Sequence, residues 1–317
     1  MRIVLALDIG GTKLAAGVVS ESGEVLADRV EVTDASAPAE AVLEKLMGMA
    51  GEAVGQAGVA WGDLSGAGVS FGGPVDFPSG RTVTCHHLAG WEGFPLREAV
   101  RDRSGLPTVI DNDANAAALG EATFGAARGC AHALYLTVST GIGGGVIIDG
   151  RVYRGAASMA GEIGHTLVAP DGPVCTCGKR GCLEAVASGP SIARAAREAL
   201  ETGEASALAS IPRSRLTAKD IAEAAVRDTL AACIMGQAGE FLGIAIAGAV
   251  NLLNPNVVVI GGGVSGAGDV LFGPVREAVA RYAVPESARE LRLVAGELGQ
   301  RGALLGAAAL ALTQGKA

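Results

Sequence analysis

The sequence predicts an α/β protein built from two related halves. Short apolar segments of strand length alternate with helical patterns, which is typical of α/β architectures. A strand, a glycine turn and a returning strand occur near the N-terminus, with the turn at Asp8–Lys13. The same plan recurs about 130 residues later, with the turn at Ser139–Gly145. Because 317 residues exceed one ordinary core, we expect two domains.

The first half opens as a three-stranded meander. Runs rich in Val, Ile, Leu and Ala, separated by turn residues, predict strands. The expected strands are Ile3–Leu7, Leu14–Val19, Val25–Val32, Gly66–Ser70 and Thr108–Ile110. The expected helices are Pro38–Gln56, Leu96–Arg103 and an alanine-rich start at Asn115–Glu121. We expect this small α/β domain to comprise residues 1–113, completed by the C-terminal helix at 301–317.

The second half restarts the strand and turn pattern at Ala133 and is then mostly helical. The expected strands are Leu134–Val138, Val146–Ile148, Val257–Ile260 and Leu291–Val294. The expected helices are Ser191–Leu200, Ala218–Val226, Leu230–Leu253, one after the Gly261-Gly262-Gly263 run, and a closing apolar helix at Ala303–Leu312. Residues 114–300 are expected to form a large α/β domain that contains a cysteine-rich loop.

Charge and hydropathy exclude several classes of partner. The formal charge of −8, from 33 acidic and 25 basic residues, argues against a nucleic-acid surface. No apolar run reaches the roughly 18 residues that a membrane span needs. A strand pattern begins almost directly after Met1, which leaves no room for a signal peptide. We therefore expect a cytoplasmic protein with no nucleic-acid or membrane partner.

The two glycine turns are candidates for phosphate binding. Glycine lets backbone N–H groups point at an anion, because no Cβ blocks the approach. A plain hairpin turn is the alternative, but it has little use for an Asp, a Thr and a Lys within six residues. Neither turn is a Walker A motif. Two such hairpins, with nearby carboxylates for metal and base chemistry, predict a polyphosphate site.

Two further motifs carry open alternatives. Asp111–Asp113 follows a strand and precedes a helix, where one Asp or Asn could serve only as an N-cap. Three such residues exceed that need, so function is favoured.

Gly261–Gly266 matches the dinucleotide pattern Gly-x-Gly-x-x-Gly, and an NAD-type oxidoreductase is the rival reading. That reading needs a strand that ends in an acid about 20 positions on, whereas Glu286 follows Val284-Pro285 in an expected loop and the next strand is expected to end near Glu297. We prefer a backbone contact to adenine or ribose.

A group of three cysteines and one histidine predicts a metal site. Cys175, Cys177 and Cys182 follow His165, which lies ten residues before the first of them. Together they supply four ligands for tetrahedral Zn²⁺. Buried free thiols are the alternative, but they do not explain the polar loop Gly178–Gly181. Four protein ligands leave no open position, so the zinc is expected to be structural.

These residues resemble the ROK family of sugar kinases. The resemblance extends from Asp8 to beyond Gly263, and its most specific part combines Gly-Glu-Ile-Gly-His at 161–165 with Cys-x-Cys-Gly-x-x-Gly-Cys-x-Glu at 175–184. It implies the actin-like, ribonuclease-H-like ATPase fold, with two α/β domains around a cleft. It also implies ATP and Mg²⁺ as cofactors beside the structural zinc.

The resemblance assigns a role to each matching residue. Asp113 corresponds to the catalytic base. The sugar contacts are Gly73, Asn112, Asp113, Glu162, His165 and Glu184. Mg²⁺ and the phosphates are faced by Asp8, Gly11, Thr12, Lys13, Thr140 and Gly141, and the adenosine lies over Gly262 and Gly263. His165 would serve both the sugar and the zinc.

The expected reaction is phosphorylation of a hexose at its 6-hydroxyl, with glucose first. N-acetylmannosamine and fructose are alternative sugars, polyphosphate is an alternative donor, and a sugar-sensing repressor is the non-catalytic alternative. Such repressors carry a helix-turn-helix ahead of the kinase-like part, and here Asp8 follows Met1 closely. His86 and His87 stand where many relatives have Asn before Leu-x-Gly-Trp, which bears on the choice of sugar. The expected partners are the sugar and further copies of the chain, in a dimer or tetramer.

Overall fold

The computed structural model describes residues 1–84 and 88–313. They form two compact units, each assembled from discontinuous segments. The first unit contains Met1–Gly129, Gly145–Ala160 and the segment from Leu298, and the second contains Cys130–Gly144 and Gly161–Glu297. The predicted boundary between residues 113 and 114 falls within the first of these units.

Strands and helices follow the alternation that the sequence predicts. The strands of the described residues are β1 (Ile3–Ile9), β2 (Lys13–Ser20), β3 (Val25–Val32), β4 (Leu64–Phe71), β5 (Val75–Asp76), β6 (Arg81–Thr82), β7 (Thr108–Asn112), β8 (Ala133–Val138), β9 (Ile142–Ile148), β10 (Arg151–Tyr153), β11 (Val257–Gly261) and β12 (Arg292–Ala295). The α-helices are α1 (Ala39–Ala57), α2 (Leu96–Ser104), α3 (Asp113–Phe124), α4 (Leu183–Ala187), α5 (Gly189–Glu201), α6 (Ala218–Ala224), α7 (Thr229–Leu253), α8 (Asp269–Tyr282), α9 (Pro285–Ala288) and α10 (Gly302–Thr313). Each predicted segment coincides with one of these elements, with bounds that differ by a few residues.

The first unit contains a five-stranded sheet in the order β3-β2-β1-β4-β7. The meander β1-β2-β3 is antiparallel, whereas β1, β4 and β7 run parallel to one another. Successive side chains of a strand point to opposite faces, and β1 is buried on both. Leu5 and Leu7 pack in one cluster with α1, and Val4 and Ala6 pack in another with α10. The sheet therefore requires a helix layer on each side.

Helices α3 and α10 pack together in the first unit. Gly120 and Gly306 mark their closest approach, since a Cβ on Gly120 would lie 3.0 Å from the Gly306 backbone. Close packing of this kind holds α3 with the first sheet. It explains why the first unit extends past residue 113 to Gly129.

The second five-stranded sheet has the order β10-β9-β8-β11-β12. Strand β11 lies between two parallel neighbours, β8 and β12, and all five of its residues are buried. This agrees with a strand made almost entirely of Val and Ile, which is typical of the centre of a parallel sheet. The carboxyl ends of β8 and β11 consequently lie at the same edge.

Helix α7 is the one helix, among the described residues, that is long and apolar enough to cross a membrane. Of its most apolar 18-residue window, 61% is buried inside the protein. Its buried side chains include Met235, Leu242 and Ile246, and it packs along α8. The composition of α7 is therefore that of a core helix.

Candidate active site

Three polar side chains lie side by side at the carboxyl ends of strands in the first sheet. Strand pairing places Asp8 of β1 opposite Ser70 of β4, and Ser70 opposite Asp111 of β7. Their exposed fractions are 3%, 0% and 2%. Ligands of open α/β sheets bind at this end of the strands, and buried polar groups there need partners. This row is the base of the candidate site in the first unit.

Asp8 is held by a hydroxyl group and lies near an ammonium group. The Oγ of Ser70 donates to Asp8 Oδ1 at 2.9 Å, and Lys13 Nζ lies 3.9 Å from Asp8 Oδ2. Burial raises the pKa of Asp8, and the Lys13 charge and the Ser70 hydrogen bond oppose that rise. Lys13 Nζ also donates to the Gln300 carbonyl at 2.9 Å. The structure thus brings Asp8 and Lys13 together and adds Ser70, which sequence reasoning missed.

The turn that contains Gly11 and Thr12 is fastened from the end of β3. The N–H of Gly10 donates to the Lys13 carbonyl at 3.0 Å, which closes the turn. Thr33 fastens it twice, because its N–H donates to the Thr12 carbonyl at 3.2 Å and its Oγ1 to the Gly10 carbonyl at 2.7 Å. The Thr12 side chain remains exposed. Thr33 is therefore a supporting residue of this turn, and the sequence carried no local signal for it.

Asn112 caps α3 and also contacts its neighbours. Its Oδ1 accepts from the N–H groups of Ala114 and Asn115, which is the N-cap arrangement. Its Nδ2 donates to the Gly73 carbonyl at 3.2 Å and to Asp113 Oδ1 at 3.0 Å. The capping alternative thus describes Asn112 correctly, and Asn112 in addition joins Gly73 to Asp113.

Asp113 is a half-buried carboxylate at the first position of α3. Burial and the nearby charge of Asp8 raise the pKa of Asp113 to about 6. Hydrogen bonds from the Ala114 N–H at 2.8 Å and from Asn112 Nδ2 oppose the rise. A carboxylate whose pKa lies this close to neutrality is suited to accept a proton during catalysis.

Asp111 does not present a free carboxylate. Its Oδ2 accepts from Arg154 Nε at 2.8 Å and lies 2.7 Å from Arg154 Nη2. Its Oδ1 accepts from the Asn112 N–H at 2.9 Å and from Asn115 Nδ2 at 3.0 Å. Both oxygens are therefore occupied by protein donors. Arg154, the partner of this buried acid, was not identified from the sequence.

In the second unit, Thr140 and Gly141 form the turn between β8 and β9. The Ser139 N–H donates to the Gly141 carbonyl at 2.9 Å, and the Gly189 N–H donates to the Ser139 carbonyl at 2.8 Å. Thr140 is exposed at the tip. A Cβ on Gly141 would lie 2.6 Å from a Glu184 oxygen, so a larger residue would displace that carboxylate. The turn is thus packed directly against Glu184.

Gly262 and Gly263 follow β11 at the same sheet edge. Gly262 has φ 82°, and a Cβ there would lie 2.4 Å from the Val138 carbonyl oxygen at the end of β8. Both the backbone angle and the close approach require glycine. In the dinucleotide alternative the next strand would end in an acid, but β12 ends at Ala295 and Glu286 lies in α9. Gly262 and Gly263 are therefore exposed after β11, and the rest of the dinucleotide motif is not found at β12.

Glu184 joins the turn between β8 and β9 to the cysteine-rich loop. One oxygen, Oε2, accepts from the Ile142 N–H at 2.9 Å. The other, Oε1, accepts from Thr176 Oγ1 at 3.1 Å and lies 3.9 Å from Cys175 Sγ. One side chain thus contacts both the cysteine-rich loop and the turn after β8.

The predicted metal ligands come together in the second unit. One ligand atom from each of His165, Cys175, Cys177 and Cys182 lies within 4.8 Å of all the others. Sγ of Cys177 and Sγ of Cys182 are 3.6 Å apart, and Cys175 Sγ lies 3.7 Å from His165 Nδ1. Tetrahedral zinc with ordinary bond lengths would separate two sulfurs by about 3.8 Å and a nitrogen and a sulfur by about 3.5 Å. The four residues therefore fit the ion.

The two ring nitrogens of His165 have different neighbours. Nδ1 lies toward Cys175, whereas Nε2 lies 3.8 Å from Glu162 Oε2. Both Glu162 and His165 are exposed, so both side chains are accessible to a ligand. The imidazole can thus contribute one nitrogen to a metal and the other to a hydrogen-bonding ligand. His86 and His87, the predicted departure near the sugar, lie outside the described residues.

The chain is similar in sequence to known proteins over almost its whole length. A sequence profile described as the ROK family matches residues 4–314. A glucokinase from Thermotoga maritima is 36% identical over 311 residues, which cover 97% of this chain and 96% of that protein. An N-acetylmannosamine kinase from Citrobacter koseri is 36% identical over 299 residues, with 93% and 96% covered.

Solved structures resemble the chain over almost its whole length. The ROK hexokinase from Thermus thermophilus has a TM-score of 0.85 and 37% identity, with 99% of each chain covered. A ROK family glucokinase from Streptomyces griseus, solved with glucose and AMPPNP, has a TM-score of 0.83 and 33% identity, with 98% of this chain and 99% of that chain covered.

Proposed function

The chain belongs to the ROK family, and we propose that it transfers the terminal phosphoryl group of ATP to the 6-hydroxyl of a hexose, with glucose preferred. The glucokinase relative and the glucokinase that was solved with glucose and AMPPNP support this assignment. The observation that carries it within this chain is Asp113, a half-buried carboxylate with a pKa of about 6. The chain is an ATP-dependent sugar kinase on these grounds.

Asp113 acts as the base in this mechanism. It accepts the proton of the sugar hydroxyl while that oxygen attacks the γ-phosphorus, and the bond from phosphorus to the leaving ADP oxygen breaks. Asn112 Nδ2 and the Ala114 N–H hold the carboxylate in one orientation. Orientation matters because the base must be within hydrogen-bond reach of the hydroxyl.

The nucleotide and Mg²⁺ are assigned to glycine turns and to Asp8. Mg²⁺ prefers carboxylate oxygens and, when bound, neutralises charge on the phosphates. Asp8 is the carboxylate suited to this role, since Ser70 and Lys13 fix its position. The proposed phosphate contacts are Gly11, Thr12, Lys13, Thr140 and Gly141, and the proposed adenosine contacts are Gly262 and Gly263.

The sugar contacts are proposed from the second set of residues. They are Gly73, Asn112, Asp113, Glu162, His165 and Glu184. Most offer acceptor atoms, which suits a ring of hydroxyl donors. Each lost hydroxyl would leave a buried acceptor unpaired, at a cost of about 1–3 kcal/mol. Discrimination among hexoses is expected to follow from these penalties.

Zinc is proposed as a structural ion. His165, Cys175, Cys177 and Cys182 would hold it, and a set of four protein ligands would leave no open coordination position. Its contribution is to order the loop that carries His165, Glu162 and Glu184. With Nδ1 on the metal, His165 Nε2 remains available for the sugar.

N-acetylmannosamine is the second candidate substrate, because a kinase of that sugar is also 36% identical to this chain, over 299 residues. A sugar-sensing regulator is less favoured, since it has no need of a base with the properties of Asp113. We further propose a cytoplasmic location, no nucleic-acid or membrane partner, and a homo-oligomer of two or four copies.

A coupled-enzyme assay tests these proposals directly. The purified protein is supplied with ATP or polyphosphate and with glucose, mannose, fructose, N-acetylglucosamine or N-acetylmannosamine. We expect the highest kcat/KM with glucose and ATP. A higher value for an N-acetylated sugar would replace glucose as the substrate. Sugar binding by calorimetry with no turnover of any sugar would favour the regulator.

A further inference from the structure

We propose that Arg154 is a positioning residue for phosphoryl transfer. Through its ion pair with Asp111, Arg154 holds in place the turn that carries Asp113. The inference rests on the proposed function, because Asp113 is the base of that reaction. It also assigns a role to Asp111, whose carboxylate takes no direct part in the mechanism above.

In this ion pair Arg154 binds only one of the two carboxylate oxygens of Asp111. Arg154 places two donors, Nε and Nη2, on the single oxygen Oδ2 of Asp111, at 2.8 and 2.7 Å. The other oxygen, Oδ1, is thereby left for the Asn112 N–H and for Asn115 Nδ2. The Asp111 side chain is 3% exposed and the Arg154 side chain 22%. Such a pair is weakly screened, and removal of one partner leaves an uncompensated charge.

An aromatic ring fixes the guanidinium group. Cζ of Arg154 lies 3.5 Å from the centroid of the Phe77 ring, within cation–π range. Arg154 Nη1 also donates to the Val152 carbonyl at 3.3 Å. Arg97 approaches the same ring at 5.9 Å and donates to the Phe77 carbonyl. The Phe77 ring and the Val152 carbonyl thus help to orient the Arg154 guanidinium, in addition to the Asp111 carboxylate.

The contacts continue from Asp111 to the proposed base. Asp111 Oδ1 accepts from the peptide N–H of Asn112, and Asn115 Nδ2, in the first turn of α3, donates to the same oxygen. Asn112 in turn caps α3 and donates to Asp113 Oδ1. The position of the Asp113 carboxylate therefore depends on a turn whose backbone is held by Asp111.

Without the guanidinium, the buried Asp111 carboxylate has lost the positive charge that pairs with it. The carboxylate then either moves toward water or takes up a proton, and in both cases its hold on Asn112 weakens. A displacement of about 1 Å at a reacting group costs on the order of 100-fold in rate. The effect falls on kcat, because the base contributes mainly to the transition state.

Four variants test the role. Arg154→Gln is expected to lower kcat about 100-fold and to change the KM for the sugar by less than about threefold. Arg154→Lys keeps the charge but lacks the planar pair of donors, so it should fall between the parent and Arg154→Gln. The double variant Asp111→Asn with Arg154→Gln should recover about tenfold over Arg154→Gln, since no buried charge is left unpaired. Arg97→Gln is the matched control and should retain the parent kcat.

The possible outcomes separate the two proposals. If the parent is active and Arg154→Gln loses only thermal stability, with kcat per folded molecule unchanged, Arg154 has no positioning role. If the double variant is no better than Arg154→Gln, the coupling through Asp111 is wrong. If the parent phosphorylates no sugar, the proposed function fails, and the positioning role is decided by a measurement that needs no substrate.

That measurement is a ¹³C NMR titration of the Asp113 carboxyl group in the parent and in Arg154→Lys. The neighbouring charge that acts on Asp113 is that of Asp8, and Arg154→Lys changes neither this charge nor the charge at position 154. Hydrogen bonds from Asn112 and Ala114 favour the ionised form of Asp113. Looser bonds in Arg154→Lys should therefore raise the pKa of Asp113, and an unchanged pKa would overturn the inference.

Discussion

Burial and the negative charge of Asp8 together raise the pKa of Asp113 to about 6. Asp8 lies one residue before the end of β1, and Asp113 begins α3 directly after β7 of the same sheet. Asp8, the residue proposed to bind the metal, thus also raises the pKa of Asp113, the residue proposed to accept the proton.

Asp8→Asn is expected to lower the pKa of Asp113, because it removes the neighbouring negative charge. The decrease should be smaller than the whole rise, since burial is the larger cause. A ¹³C NMR titration of the unliganded protein measures it. Asp102→Asn, which alters an exposed carboxylate on α2, is the control and should leave Asp113 unchanged. An Asp113 pKa that is the same in the parent and in Asp8→Asn would refute the coupling.

The pH profile of the reaction should show one acidic limb. The base is active only when ionised, so kcat/KM should fall about tenfold for each pH unit below about 6 and level off above it. Initial rates between pH 4.5 and 8.5, with saturating donor and a check that the protein stays folded, provide the measurement. A limb centred near pH 4 would mean that Asp113 has an ordinary pKa or is not the base.

Asp113→Asn should abolish most phosphoryl transfer while sugar affinity stays within about an order of magnitude. Loss of a general base typically costs about 10²–10⁴-fold in kcat. The amide preserves an oxygen for the hydrogen bond from Asn112, so the turn should stay intact. Steady-state rates and sugar calorimetry separate the two effects. Turnover near that of the parent would exclude Asp113 as the base.

The same variant should be more stable than the parent at pH 7.5. The pKa of Asp113 is raised in the folded state, so the fold disfavours the ionised carboxylate, and stability that is present below about pH 4 is lost as the pH rises through about 6. Asp113→Asn removes this penalty, which amounts to about 1–3 kcal/mol for a partly exposed group. The gain should shrink as the pH falls from 6 and vanish near 4. Urea unfolding at pH 7.5 and 4.5 measures it, and equal gains at both pH values would contradict the cause.

One zinc ion should copurify with each chain, and Cys177→Ala should lower both the metal content and the thermal stability. Few apolar side chains order the loop, so the ion is expected to do so. Cys233→Ala is the matched control, because Cys233 is an exposed cysteine on α7 away from the four ligands. Elemental analysis and thermal unfolding provide the two measurements. A fully active protein without zinc would disprove the structural role.

Local sequence patterns predicted the elements of this fold because their causes are local. The Val and Ile run of β11 and the glycines of the two turns require only their neighbours to be understood. The partners of the site residues are different, because their cause is tertiary. Ser70 lies 62 residues from Asp8, and Arg154 lies 43 residues from Asp111. Neither has a pattern of its own, so only strand order and loop path reveal them.

Helix α10 has a consequence for synthesis of the protein on the ribosome. It covers the face of the first sheet that carries Val4 and Ala6, yet it is made roughly 300 residues after β1. At usual elongation rates that delay lasts about 15 to 60 s. During this time the nascent chain presents an uncovered apolar sheet face, on which chaperones can act. Messenger RNAs that are truncated before the codons of α10 should therefore yield products that aggregate or are degraded. These products would nevertheless contain every residue that is proposed to bind a ligand.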